Sequence, residues 1–191
     1  QVNDTWAYTK MMSVFKSGNA DKPGVYFDEE NRRHLNSIRM AYTTAAMDMA
    51  EKGKKEEAKK MLNKVDKMML EENFPYGMVG RDQQHNYISL LMLQATYAAG
   101  DTVLAAKITK SLKKDLEQQQ AYYAALDDDK LSNFDYVDQQ GRKDGDKNAV
   151  DQFLMRIMQL EQQYKGQPGL PEIPGQINNQ PPAPQPDTLK K

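Results

Sequence analysis

Two histidines, His34 and His85, are the only side chains in this 191-residue chain whose ordinary pKa lies near neutrality. They are therefore the first candidates for proton transfer or metal binding. His34 stands beside Arg32 and Arg33, whose charge works against a cation in the same place. His85 reads as a loop residue next to Arg81, Asp82 and Gln83. Neither is followed, three or four positions on, by a second histidine or a glutamate, the spacing that lets one helix face hold zinc. Cysteine is absent, which excludes disulfides and thiolate metal sites. The run "LDDDK" at 126–130 lacks the alternating oxygen ligands, central glycine and distal glutamate of a calcium loop. "DQQGRKDGDKN", with Asp138, Asp144 and Asp146, comes nearer, but its spacing also fails. No glycine-rich phosphate loop or nucleophile elbow occurs. No cofactor, metal or catalytic residue is expected. A hydrolase or metal-dependent enzyme using His34 or His85 with nearby carboxylates is the alternative of another class.

The remaining residue types suit recognition. Tyrosine rings give contact area and their hydroxyls give direction. Tyr76, Tyr122 and Tyr123, with His85, are the candidates for a binding groove, while Tyr42 and Tyr97 are expected in the core. Arg32, Arg33 and Arg39 form a basic patch that is expected to pair with Glu71, with Glu72 or with a partner's acids.

These residues must be positioned by helices. Met, Lys, Glu, Gln, Ala and Leu are frequent, which favours helix. A first helix is expected over about 4–17 with Asp4 as cap, and a loop "GNADKPGVYF" follows. Asp28 caps the next helix, about 29–52, in which Leu35, Ile38, Tyr42, Ala45 and Met49 recur at steps of three and four. Gly53 ends it. The helix at about 55–72 turns Ala58, Met61, Leu62, Val65, Met68 and Met69 inward. Lys54, Lys59, Lys60, Lys64 and Lys67 face away and are expected to be screened by Glu56, Glu57 and Asp66 as a solvated face. "YISLLMLQATYAAG" is apolar almost all round, the pattern of a helix buried between neighbours. It stops at Gly100, and Asp101 caps a helix reaching about Leu126. "LSNFDYVDQQ" is expected as a short helix, "GRKDGDKN" as a loop, and 148–165 as the last helix. From residue 166 on, proline and glutamine dominate, and a disordered tail is expected over 166–191.

Glycine then alanine five positions later occurs twice, as Gly53–Ala58 and Gly100–Ala105. Each marks a tight turn between two antiparallel helices that cross closely at the alanine. The two hairpins, 29–72 and 83–126, are read as weak tetratricopeptide-like repeats within one all-α domain over 1–165, a right-handed array of stacked hairpins. The step from Gly53 to Gly100 exceeds that repeat's period of roughly 34 residues, and the inserted "FPYGMVGRDQQHN" loop with a long helix accounts for the excess. A plain irregular bundle is the other reading.

Net charge is -1, from 26 basic and 27 acidic residues, so no global field favours nucleic acid or an anionic membrane. No hydrophobic run approaches the roughly 20 residues that span a bilayer. The opening "QVNDTW", with no Met or basic leader, is read as the start of an excised fragment.

One further pattern is a resemblance. Val25, Tyr26, Phe27, Asp28 and Glu29, then a helix bearing Arg32, Arg33 and Arg39, then Gly53, Lys54, Glu56, Glu57 and Ala58, resemble the C-terminal region of a family of large bacterial multi-spanning membrane proteins. That family is of unknown function and is similar to protein O-mannosyltransferases. "FPYG" at 74–77 resembles its next loop. The likeness is specific over about 6–62. It implies a membrane-embedded, glycosyltransferase-like part upstream, with this segment as its soluble domain at the periplasmic face of the inner membrane. It carries no catalytic role onto any residue here. The expected function is thus a non-catalytic interaction and positioning domain for a protein or peptide partner, a glycan-acceptor protein among the candidates. A structural bundle bracing the membrane part is the alternative.

Overall fold

Gly53 and Gly100 adopt left-handed backbone, with φ of +80° and +77°, and each lets the chain leave a helix at once. In the computed structural model, which describes residues 4–80 and 83–165, α1 (Asp4–Ser13) precedes two helix pairs. α2 (Glu29–Glu51) turns through residues 52–54 into α3 (Lys55–Met68), and α4 (Gln84–Ala99) turns through residues 100–101 into α5 (Thr102–Ala124). Links this short force each pair to run antiparallel. A side chain at positive φ would meet its own backbone, so glycine serves both turns. After the second turn Asp101 accepts the Leu104 N–H at 3.0 Å, as Asp28 accepts that of Asn31 at 2.9 Å ahead of α2. Both are N-caps that satisfy donors the helix leaves over. Ala58 and Ala105 are fully buried, and their small size lets the helices approach.

α4 is the centre. It packs on α2, α3 and α5 and on α7 (Asp146–Lys165), and eleven of its sixteen residues are buried. α1 lies against α2 and α3. α7 closes the far side through Val150, Ile157 and Leu160, and its Tyr164 stacks on Tyr97 with centroids 4.5 Å apart. The described residues are mostly helical, with one small hairpin among them, and no described helix is long and apolar enough to cross a membrane.

Several boundaries differ from the sequence reading. α1 ends at Ser13 and α3 at Met68. Beyond Met68 the backbone is drawn to another partner: Leu70 donates to the Ala20 carbonyl at 2.9 Å and Asn73 Nδ2 to the same oxygen at 3.1 Å. The stretch expected as a short helix after 130 is mostly not one. Only α6 (Asp128–Leu131) is helical, and β1 (Tyr136–Val137) pairs antiparallel with β2 (Lys143–Asp144). Asp138 makes that turn, its carboxylate accepting the N–H groups of Gln140 and Arg142 at 2.8 and 2.9 Å. The cap expected of the Asp4 side chain, and the tail at 166–191, lie outside the described residues.

The "FPYG" connection presses on α5. A Cβ at Gly77 would lie 2.5 Å from the Ser111 carbonyl oxygen and 2.6 Å from the Asp115 Cβ, so no other residue fits without moving one of them.

Candidate functional site

The inner face of α2 carries polar residues in line with its apolar ones. Asn36, Arg39 and Thr43 are all buried, at helical spacing with Ala46 and Ala50. Arg39, expected as part of a surface patch, is 2% exposed and lies inside the fold. It turns inward because the chain at 74–75 leaves two carbonyls to be satisfied. Its Nη2 donates to the Phe74 oxygen at 2.9 Å and its Nη1 to the Pro75 oxygen at 3.3 Å and Ser89 Oγ at 3.2 Å. The guanidinium lies over the Phe74 and Tyr76 rings, 4.3 and 4.7 Å from their centroids, which replaces part of the lost hydration. Burial pulls its pKa down to about 10, opposed by Tyr76, Asp66 and Glu71, so it remains a cation at neutral pH.

Tyr76 is also interior, 2% exposed. Its hydroxyl donates to Asp66 Oδ1 at 2.7 Å, an oxygen that Lys107 also reaches at 2.5 Å. Burial pushes the phenol well above its ordinary range. Arg39, Tyr76, Asp66 and Lys107 thus join α2, the 74–77 connection, α3 and α5 in one network.

His85 sits not in a loop but in the first turn of α4, 2% exposed. Its Nε2 is 2.7 Å from the Pro75 carbonyl oxygen. A carbonyl only accepts, so Nε2 carries the proton and Nδ1 is the bare acceptor. The approach of Arg39 Nη1 to Nε2, at 3.5 Å, is then a contact between two donors and not a hydrogen bond. Burial first, and the charge of Arg39 second, press the imidazole down to about 3. It is neutral throughout the physiological range, and its Nδ1 is buried with no hydrogen-bond partner.

Asn36 has the same defect, with its Oδ1 buried and unpartnered. Both residues line one cleft of about 740 Å³ between the first turns of α2 and the segment leading into α4. Native proteins rarely leave buried acceptors empty, since each costs about 1–3 kcal/mol. Arg32 and Arg33 stand on the same wall. Arg33 is held by Glu29 and Glu30 at 3.1 and 3.5 Å. Arg32 donates from Nε to the Phe27 carbonyl at 2.8 Å and lies over the Tyr26 ring, but has no carboxylate partner among the described residues. The cleft thus gathers two unpartnered acceptors and the Arg32 guanidinium, which Asp28 influences through space without a close ion pair among the described residues.

Of the predicted residues, Arg32, Arg33 and His85 meet in this cleft, with Arg39 and Tyr76 behind it as framework. Tyr122 and Tyr123 line none of it and cluster instead with Phe134, Tyr123 buried and Tyr122 exposed. A single groove of Tyr76, His85, Tyr122 and Tyr123 is therefore not formed. His34 is exposed, 3.8 Å from Glu30 one turn earlier. Among the described residues no group of three or more His, Asp or Glu is placed to hold a metal. Asn36 was missed. Its signal was a polar side chain at the spacing of the buried stripe, with Arg39 and Thr43 continuing it.

No protein-family model, curated protein or solved structure matches this chain.

Proposed function

We propose that this chain is a non-catalytic positioning domain whose helix pairs stack as a tetratricopeptide-like, right-handed array, and that its cleft holds a segment of a partner protein. The observation that carries the reading is the pair of buried, unpartnered acceptors, Asn36 Oδ1 and His85 Nδ1, lining one cleft beside Arg32. An extended peptide supplies what they lack: backbone N–H donors for the acceptors and a side-chain or terminal carboxylate for the guanidinium. Catalysis by His85 fits poorly, because a base of pKa about 3 takes up almost no proton near neutrality. In keeping with the resemblance, the domain serves a membrane-embedded, glycosyltransferase-like part at the periplasmic face by presenting an acceptor or a neighbouring subunit to it.

The test is capture from periplasmic extract by the whole protein, comparing wild type with Asn36→Leu, Arg32→Gln and a chain lacking residues 25–165. A partner retained by the wild type and lost from all three supports the reading. Unchanged partners and unchanged glycan transfer after the deletion overturn it.

A second reading, a brace for the membrane part, rests on α1 and the residues after it. Trp6, Val14 and Phe15 are exposed there, where a larger apolar surface would cover them. Removing these three side chains would then loosen the intact protein without altering which partners it captures.

A further inference from the structure

The lysine-rich side of α3 was expected to be screened by its neighbouring acids, and the structure keeps that screen at Lys59 but gives Lys60 and Lys67 no ion pair among the described residues. Glu56 is engaged by Lys59 at 3.0 Å. Asp66 is committed to Tyr76 and Lys107, neither of which lines this side. Lys60, Lys64 and Lys67 are instead joined by Lys16 and Lys22 from the loop after α1 around a cleft of about 720 Å³. Among the described residues Asp21 is the only acid that lines it. Lys64 is spoken for, donating to the Met11 and Met12 carbonyls at 2.9 and 2.6 Å at the end of α1, where the helix dipole favours a cation. Lys16, Lys22, Lys60 and Lys67 have no ion pair among the described residues.

The floor of the cleft is apolar, made by Met12, Phe15 and Met68, and Phe15 is 46% exposed. The loop wall is already fixed. Leu70 N–H binds the Ala20 carbonyl, and Asn73 Nδ2 binds those of Ala20 and Lys22 at 3.1 and 2.6 Å. A ligand would not have to order it.

We infer that this cleft docks an acidic peptide segment that seats one apolar side chain on Met12, Phe15 and Met68 while its carboxylates meet the surrounding lysines. Charge complementarity selects the acid and the exposed ring selects the anchor. A duplex or a membrane surface fits less well: the chain's net charge is -1, and the cations surround a concavity rather than lie along a face.

The test uses fluorescence anisotropy of a short labelled peptide of glutamates around a central phenylalanine. Its controls are the same peptide with glutamines for glutamates, and with glycine for phenylalanine. The double variant Lys60→Gln, Lys67→Gln is compared with wild type and with Lys110→Gln, an exposed lysine of α5 outside the cleft. All three positions are exposed, so the fold is kept, and circular dichroism checks it. The glutamate–phenylalanine peptide is expected to bind saturably, about fivefold tighter to wild type than to the double variant. Both control peptides should bind more weakly, Lys110→Gln should change nothing, and the preference should fade as salt screens the charges. The inference is overturned if no binding saturates below about millimolar peptide, if the glutamine peptide binds equally, or if the double variant binds like wild type. It is also overturned if anionic phospholipid vesicles compete for the same lysines more strongly than the peptide.

Discussion

One turn of α2 separates two buried polar side chains with opposite fates. Arg39 is surrounded by acceptors and rings: two carbonyls, a serine hydroxyl and two aromatic faces meet every direction in which its charge is felt. Asn36, three residues earlier, presents a buried oxygen to nothing. The first arrangement is what stability selects. A buried cation without partners would cost several kcal/mol, so the protein closes the shell around it. The second costs stability, as do the buried, unpartnered hydroxyls of Thr43 and Thr109, with no hydrogen bond inside the fold to offset it. His85 spans the division, with Nε2 anchored on Pro75 in the satisfied network and Nδ1 left bare.

The contrast can be broken in order of expected effect. Arg39→Met removes the cation but strands the Phe74 carbonyl and leaves Pro75 only its bond from His85, and urea unfolding should show a loss of about 3 kcal/mol or more. Arg39→Lys should recover little, since one ammonium cannot serve both carbonyls and lie flat on two rings. If Arg39→Met proves neutral, the network is ornament and the comparison fails. Gly77→Ala, which drives a methyl group into the Ser111 carbonyl and Asp115 of α5, should cost about 2 kcal/mol, read as a fall in the urea midpoint at unchanged slope.

His85 gives the next effect. Its folded pKa of about 3 lies below the ordinary 6.5, so between those values the unfolded chain binds the proton and the folded chain does not. The stability it confers is therefore complete above pH 6.5 and drains as pH falls toward 3. In that window the unfolding free energy of wild type should fall by about 1.4 kcal/mol per pH unit more steeply than that of His85→Gln. Parallel pH profiles would show that the imidazole is not sealed as described. Smallest and most diagnostic is Asn36→Leu. Filling the site with an apolar side chain should raise stability by about 1 kcal/mol while abolishing retention of the cleft's partner. A loss of both would make Asn36 an ordinary structural residue.

Much of the helical plan was legible because it is local. Asp28 and Asp101 are caps by type and position, Gly53 and Gly100 stop helices by their freedom at positive φ, and Ala58 and Ala105 follow at a fixed offset. α4 was readable as buried between neighbours because it is apolar almost all round. The strand pair at Tyr136 and Lys143 was not, since Asp138 organises it through hydrogen bonds that no periodicity announces. Of the candidate site, Arg32, Arg33 and His85 were named from the sequence, but their company was not. Arg39 looked like a surface charge in "NRRH" and its sequel, and only the carbonyls of a distant turn explain why it points inward.

What the chain alone determined is where the long helices lie, which glycines and caps bound α2 to α5, and which side of each is apolar. Those properties depend on side chains three to five residues apart, within reach of one helical turn. What only the tertiary structure decided is which polar groups are satisfied. Asp66 leaves its lysine neighbours for Tyr76 and Lys107, Lys60 and Lys67 gather with Lys16 and Lys22, and Asn36 and His85 are sealed facing a cleft. Hydrogen bonds and charges act over a few ångströms in space regardless of distance along the chain, so their accounts close only when the helices have met.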